Sequence, residues 1–220
     1  MDWGTSIRRR LMVAVEPGAR CDELGPRFDL SGVLALAAGR ASLHREIWHI
    51  QPAGNGELAV LPAAEPEWRV VDDFVRELDA GLADYDRHRP VPARLRLRVA
   101  IHFGVAIPAT QGYTGTGVVA IRRVLDSQAL RRALDAAPGA RLAAALTARV
   151  FENTVVPGLT SLPAQSFRRI GIDRADEVWL YVPGQDIHAL DLSAPACADP
   201  TGREPGSNGS APRGTAGHHG

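Results

Sequence analysis

Apolar positions along the chain change their spacing several times, and each change marks an element. Leu11-Met12-Val13-Ala14-Val15 is a short unbroken apolar run with β-branched members. It stops at Glu16-Pro17-Gly18, a turn signal, and so predicts a buried strand. Leu24 to Leu43 is rich in Leu and Ala with weak helical spacing, and Pro26 and Gly32 blur its start. Ile47 to Leu61 holds two β-rich runs around Gly54-Asn55-Gly56. Asn-Gly between such runs predicts a tight hairpin, because both residues tolerate positive φ. Val71, Phe74, Val75, Leu78, Leu82 and Tyr85 then recur at the spacing of one helical face. They predict an amphipathic helix from about Glu67 to Arg87, ended by Pro90 and Pro92.

In the second half, Arg94, Arg96 and Arg98 alternate with Leu95, Leu97 and Val99. This predicts a strand that starts with one wet face and turns wholly apolar through Phe103. The arginine row reads either as a solvated face or as a phosphate-binding surface. Gln111 to Gly117 is a Gly- and Thr-rich loop, followed by a helix from about Val118 to Ala136. Leu142 to Leu146 predicts a strand, Ala148 to Val155 a short helix, and Phe167 to Ile172 with Val178 to Val182 a closing hairpin. The order β, α, ββ, α, β, α, β, α, ββ predicts an α+β fold, helices packed on a mixed sheet. No internal period suggests a solenoid or propeller. From Gly184 onward Gly and Pro are frequent and aromatic residues cease. That stretch cannot bury enough apolar surface to offset its ordering entropy, so 184–220 is expected to be disordered. The domain is expected to span 10–183, after a short extension at 1–9.

Composition narrows the function classes. The chain has 220 residues, 45% of them hydrophobic and 23% charged, with a formal net charge of zero. Such a chain has material for a real core, and no global field draws it to nucleic acid or to a membrane surface. All 25 basic residues are arginine, as a GC-rich bacterial coding bias would give. Schiff-base lysines and a Walker lysine are therefore excluded. Cys21 and Cys197 are isolated thiols, which points to a reducing compartment. No apolar run approaches the roughly 20 residues needed to span a bilayer. Arg8-Arg9-Arg10 precedes an apolar run too short for a signal peptide. A cytoplasmic location is expected.

Few residues announce chemistry alone. Gly112-Tyr113-Thr114-Gly115-Thr116-Gly117, opening a helix, could cradle phosphate with backbone amides, but matches no P-loop. His102 sits in a predicted strand at no metal-site spacing and reads as a satisfied strand histidine. His218-His219 lie on the expected tail. No Ser/His/Asp arrangement or nucleophile elbow is present.

Taken together, Leu95 to Asp126 and the hairpin at Gly54-Asn55-Gly56 resemble the core of a class III nucleotidyl cyclase domain, in a divergent form of the kind many actinobacteria carry. The resemblance runs from about Arg10 to Pro183. It implies a ferredoxin-like, cyclase-type sheet and a homodimer. It also implies a two-metal reaction in the dimer cleft, in which Mg or Mn held by two aspartates binds a nucleoside triphosphate and activates the ribose 3′-hydroxyl. One aspartate belongs at the end of the first strand and falls on Glu16. The other belongs at the hairpin turn and falls on Asn55, beside Gly54. Base recognition falls on Gln51, which can donate and accept. Gly54 and Asn55 of the turn and Thr116 of the loop are further expected to contact the substrate, and on the helix after the loop the implied asparagine falls on Val119. The implied arginine, which stabilises phosphate charge, falls on Arg123, with Arg122 as its neighbour.

The departures carry the expectation. Glu16 keeps the charge but adds a methylene, Asn55 supplies no charge, and Val119 can do neither job of an asparagine. Losing one well-placed electrostatic group costs about 3–4 kcal/mol of transition-state stabilisation. A domain without catalysis is therefore expected, requiring no cofactor and binding a nucleotide or a protein partner as a regulatory module. Two alternatives stand beside it. One is an active, divergent cyclase using Glu16, a substitute ligand such as Asp22, and manganese. The other is an interaction scaffold with no ligand.

Overall fold

The computed structural model describes residues 7–18, 29–87, 94–172 and 176–193. Cys21, Asp22, Cys197 and His218-His219 lie outside the described residues. Strands β1 (Arg8–Pro17), β2 (His49–Ala53), β3 (Gly56–Val60), β4 (Leu97–Ala109), β6 (Leu142–Thr147), β8 (Glu177–Tyr181) and β7 (Arg168–Gly171) build one sheet. Its order is β2-β3-β1-β4-β6-β8-β7, and the short β5 (Gly112–Thr114) pairs with β4. Only β4 and β6 run parallel, so the sheet is mixed. The run β2-β3-β1-β4 is the ferredoxin-like arrangement of a split βαββαβ unit. The α+β expectation and its mixed sheet hold.

Period-two alternation sends β1 side chains to both faces. Leu11, Val13 and Val15 join a core with Leu34 of α1 (Leu30–Arg40), Leu78 and Leu82 of α3 (Val75–Asp86) and Val150 of α6 (Ala148–Thr154). Met12 and Ala14 join a second core with Ile121 of α4 (Thr116–Leu125) and Leu130 of α5 (Gln128–Asp135). The sheet is thus buried on both sides, which is why its strands read as apolar runs.

Several expectations are corrected. The first helix begins at Leu30, where the Asp29 side chain accepts from Gly32 N at 2.8 Å and caps it. The helix expected at 67–87 is borne out, running on through α2 (Glu67–Arg69), a π turn (Val70–Phe74) and α3. The single helix expected at 118–136 is two. Ser127 is extended, and its hydroxyl accepts from Leu130 N at 3.3 Å, so one helix ends and a capped one begins. The Gly-Thr loop contains β5, which folds back on an unexpectedly long β4. The first strand starts at Arg8, opposite Ala106. Residues 184–193 are not loose: Ile187 and Leu192 are buried, and Arg132 and Arg168 donate to the carbonyls of Leu192 and Leu190. No helix among the described residues is long and apolar enough to cross a membrane.

Candidate functional site

The sheet register brings the first expected metal position to the hairpin. β1 and β3 pair with Val15 opposite Glu57, so Glu16 ends β1 beside the β2–β3 turn. The approach is close. A Cβ on Gly56 would stand 1.9 Å from the Val15 carbonyl oxygen, and one on Gly54 would stand 3.0 Å from Glu16 Oε1. The turn itself differs from expectation. Ala53 pairs with Gly56, so the two loop residues are Gly54 and Asn55. Gly54 has φ of 62°, and among the described non-glycine residues only Ser42 has positive φ. Glycine first with an ordinary second residue is the type II′ pattern. Asn55 therefore does not owe its place to a left-handed backbone.

Glu16 is engaged. Arg98 lies directly opposite it on β4, and Arg98 Nη2 donates to Glu16 Oε2 at 2.7 Å. Both side chains are largely buried, at 9% and 17% relative exposure. Arg98 Nη1 donates to the Leu125 carbonyl at 3.2 Å, at the end of α4. Its Nε is buried without a partner. Burial pulls the Arg98 guanidinium below its ordinary value and Glu16 pulls it back up, with Arg131 lowering it and Asp126 and Asp135 raising it. Of the arginine row, Arg94 is exposed, but Arg98 is buried and not part of a solvated face. Arg96 also turns inward, to the carbonyls of Leu134, Ala137 and Ala140 at the end of α5. Arg98 was not among the expected site residues. Its signal was a basic residue on the β4 face that α4 covers.

The residues present do not fit a divalent-ion pair. Magnesium prefers hard, charged oxygens in near-ideal octahedral geometry. Glu16 already serves a guanidinium and Asn55 is neutral. Glu57, two residues further on, points to the opposite face, where Oε1 lies 2.7 Å from Arg45. Among the described residues no three His, Cys, Asp or Glu side chains converge to hold a metal.

The other expected positions are placed elsewhere. Gln51 is tied to the β5 backbone: its Oε1 accepts from Tyr113 N at 2.6 Å and its Nε2 donates to Tyr113 O at 3.2 Å. The Tyr113 ring meets His49 edge-on, with centroids 4.9 Å apart. Thr116, Val119 and Arg123 share one exposed stripe of α4. Arg123 Nη2 lies 3.0 Å from Asp176 Oδ2. A half-open groove of about 450 Å³ runs along this stripe, lined by Val119, Arg122, Arg123, Asp126 and Ile172 among others. Glu16, Asn55 and Gln51 do not line it. His102 is the satisfied strand histidine expected, half-buried in β4. Its Nδ1 lies 3.1 Å from Thr147 Oγ1, and burial lowers its pKa while Asp176 partly opposes this.

No protein-family model matches the chain, and no curated protein matches it. Solved structures do match. The adenylate/guanylate cyclase/hydrolase from Silicibacter pomeroyi is 18% identical with a TM-score of 0.56, over 82% of this chain and 99% of that one. The adenylate cyclases from Trypanosoma brucei, in their monomeric state, give 14% and 0.52 over 86% and 95%. A bacterial light-regulated adenylyl cyclase gives 14% and 0.51 over 81% and 91%. The likeness is one of fold: the chain has the architecture of class III adenylyl and guanylyl cyclase catalytic domains.

Proposed function

We propose that this chain is a cyclase-fold domain without cyclase catalysis, acting as a regulatory module that binds a nucleotide or a protein partner as a homodimer. One observation carries the reading. The carboxylate at the end of β1 is paired with a buried guanidinium, Arg98 Nη2 to Glu16 Oε2 at 2.7 Å. Two further observations support it. The hairpin position is a neutral asparagine, and the α4 position that would take an asparagine is an exposed valine.

The chemistry of such a fold needs fixed charge aimed at the transferring phosphate. A guanidinium on the ion-binding carboxylate removes the charge that would hold a cation there. An active divergent cyclase would have to break the Arg98 pair on every approach of an ion, in a site already short of one carboxylate. Purified protein incubated with manganese and each of ATP, GTP, UTP and CTP should yield no cyclic nucleotide. Cyclic product that disappears in Glu16→Ala would overturn the proposal. Thermal-shift titration with the same nucleotides separates a ligand-binding module from a ligand-free scaffold, since a ligand of the native state raises the melting temperature.

A further inference from the structure

We infer that the Arg98 guanidinium is an intramolecular replacement for a divalent ion, held by oxygens that would otherwise face a cation. The inference deepens the reading above and rests on it for the meaning of the Glu16 position. Three features support it.

First, the geometry is fixed by the backbone. Glu16 and Arg98 are register partners on adjacent central strands, so their backbones cannot separate without breaking the sheet.

Second, the two ends of the guanidinium contact a carboxylate oxygen and a main-chain carbonyl oxygen, Glu16 Oε2 and Leu125 O. Carboxylate and carbonyl oxygens are the donor set of a hard cation. The carboxylate's other oxygen, Oε1, faces Gly54 of the turn.

Third, the fit is incomplete. Arg98 is 8% exposed, yet its Nε is buried with no partner. A pocket shaped only around an arginine would be expected to satisfy that donor. This one satisfies the tip and leaves the stem.

A guanidinium at 2.7 Å and a divalent ion compete for the charge of this carboxylate. The two positive charges would repel in a site from which water is largely excluded. Arg98 thus makes the cation position permanently filled and independent of metal supply.

The test is Mn²⁺ binding, followed by electron paramagnetic resonance and by paramagnetic broadening of amide signals. In the wild-type chain, Mn²⁺ should leave the Glu16, Gly54 and Leu125 amides no more broadened than remote surface amides. Selective broadening there would overturn the inference, and this arm needs no variant to fold. Arg98→Met should bind Mn²⁺ at least tenfold more tightly than wild type, and adding Glu16→Gln should abolish the gain. A folded Arg98→Met with unchanged Mn²⁺ affinity would also overturn it. Arg98→Lys, which keeps a cation, should stay like wild type, and a gain there would count against the inference. Failure of the functional proposal is read separately: it would show as cyclic product from the wild-type chain, whatever Arg98→Met does with manganese.

Discussion

Glu16 at the end of β1 and Arg98 on β4 face each other across neighbouring strands, Nη2 to Oε2 at 2.7 Å, beneath the end of α4. The contact ties β1, β4 and α4 together beside the β2–β3 turn. Removing one member leaves a buried charge uncompensated, which typically costs about 3–5 kcal/mol. Glu16→Gln and Arg98→Met should each lower stability by this order. The double variant should recover much of the loss, because two neutral side chains carry no orphaned charge. Urea unfolding of the four proteins as a double-mutant cycle measures the coupling, and additive losses would contradict it.

Gly56 should tolerate no side chain. Its Cβ would fall 1.9 Å from the Val15 carbonyl oxygen, a backbone atom of a central strand. Gly56→Ala should therefore destabilise by more than about 3 kcal/mol or prevent folding. Gly54→Ala should be milder, near 1–2 kcal/mol for the left-handed backbone at φ of 62°. Thermal melts of the two variants should keep that order.

Asn55→Asp should fold like wild type, since the residue is exposed and takes no left-handed backbone. On the proposed function it should also yield no cyclic nucleotide, because Arg98 still holds Glu16. Circular dichroism melts and product detection with manganese and nucleotides read both halves.

Gln51→Ala should loosen the β4–β5 arm. Two hydrogen bonds to the Tyr113 backbone vanish, and Tyr113 N loses the oxygen that satisfies it. Leaving a part-buried donor unsatisfied costs about 1–3 kcal/mol. Hydrogen exchange should quicken over 107–114 and change little in β1.

Stability should fall on acidification through His102. Burial lowers its pKa from the ordinary 6.5. The unfolded chain then binds the proton more readily than the native one, so this contribution is complete above 6.5 and is lost as pH drops toward the lower folded value. The wild-type melting temperature should fall below pH 6.5 more steeply than that of His102→Gln. Parallel curves would contradict the assignment.

How much of this was legible in the sequence depends on how local each signal is. The helix through Val71, Phe74, Leu78 and Leu82 declares itself, because one face of one element sets its spacing. The hairpin around Asn55 does so through its glycines, although the turn places Gly54, not Asn55, in the left-handed position. The break at Ser127 was present as a capping residue inside an otherwise helical pattern. Packing of Ile187 and Leu192 was hidden among Gly and Pro. Arg98 was least legible. An arginine alternating with leucine looks the same whether water or a helix covers it, and here the cover is the end of α4, 27 residues later. Glu16 could be placed at the end of its strand, but its partner lies 82 residues away and only the sheet order joins them.

The most direct measurement is a crystal structure of the wild-type chain grown with millimolar manganese, using the anomalous signal of the ion. No anomalous peak is expected beside Glu16, with the Arg98 guanidinium in contact with its carboxylate. A manganese ion coordinated by Glu16, with Arg98 turned away, would contradict it.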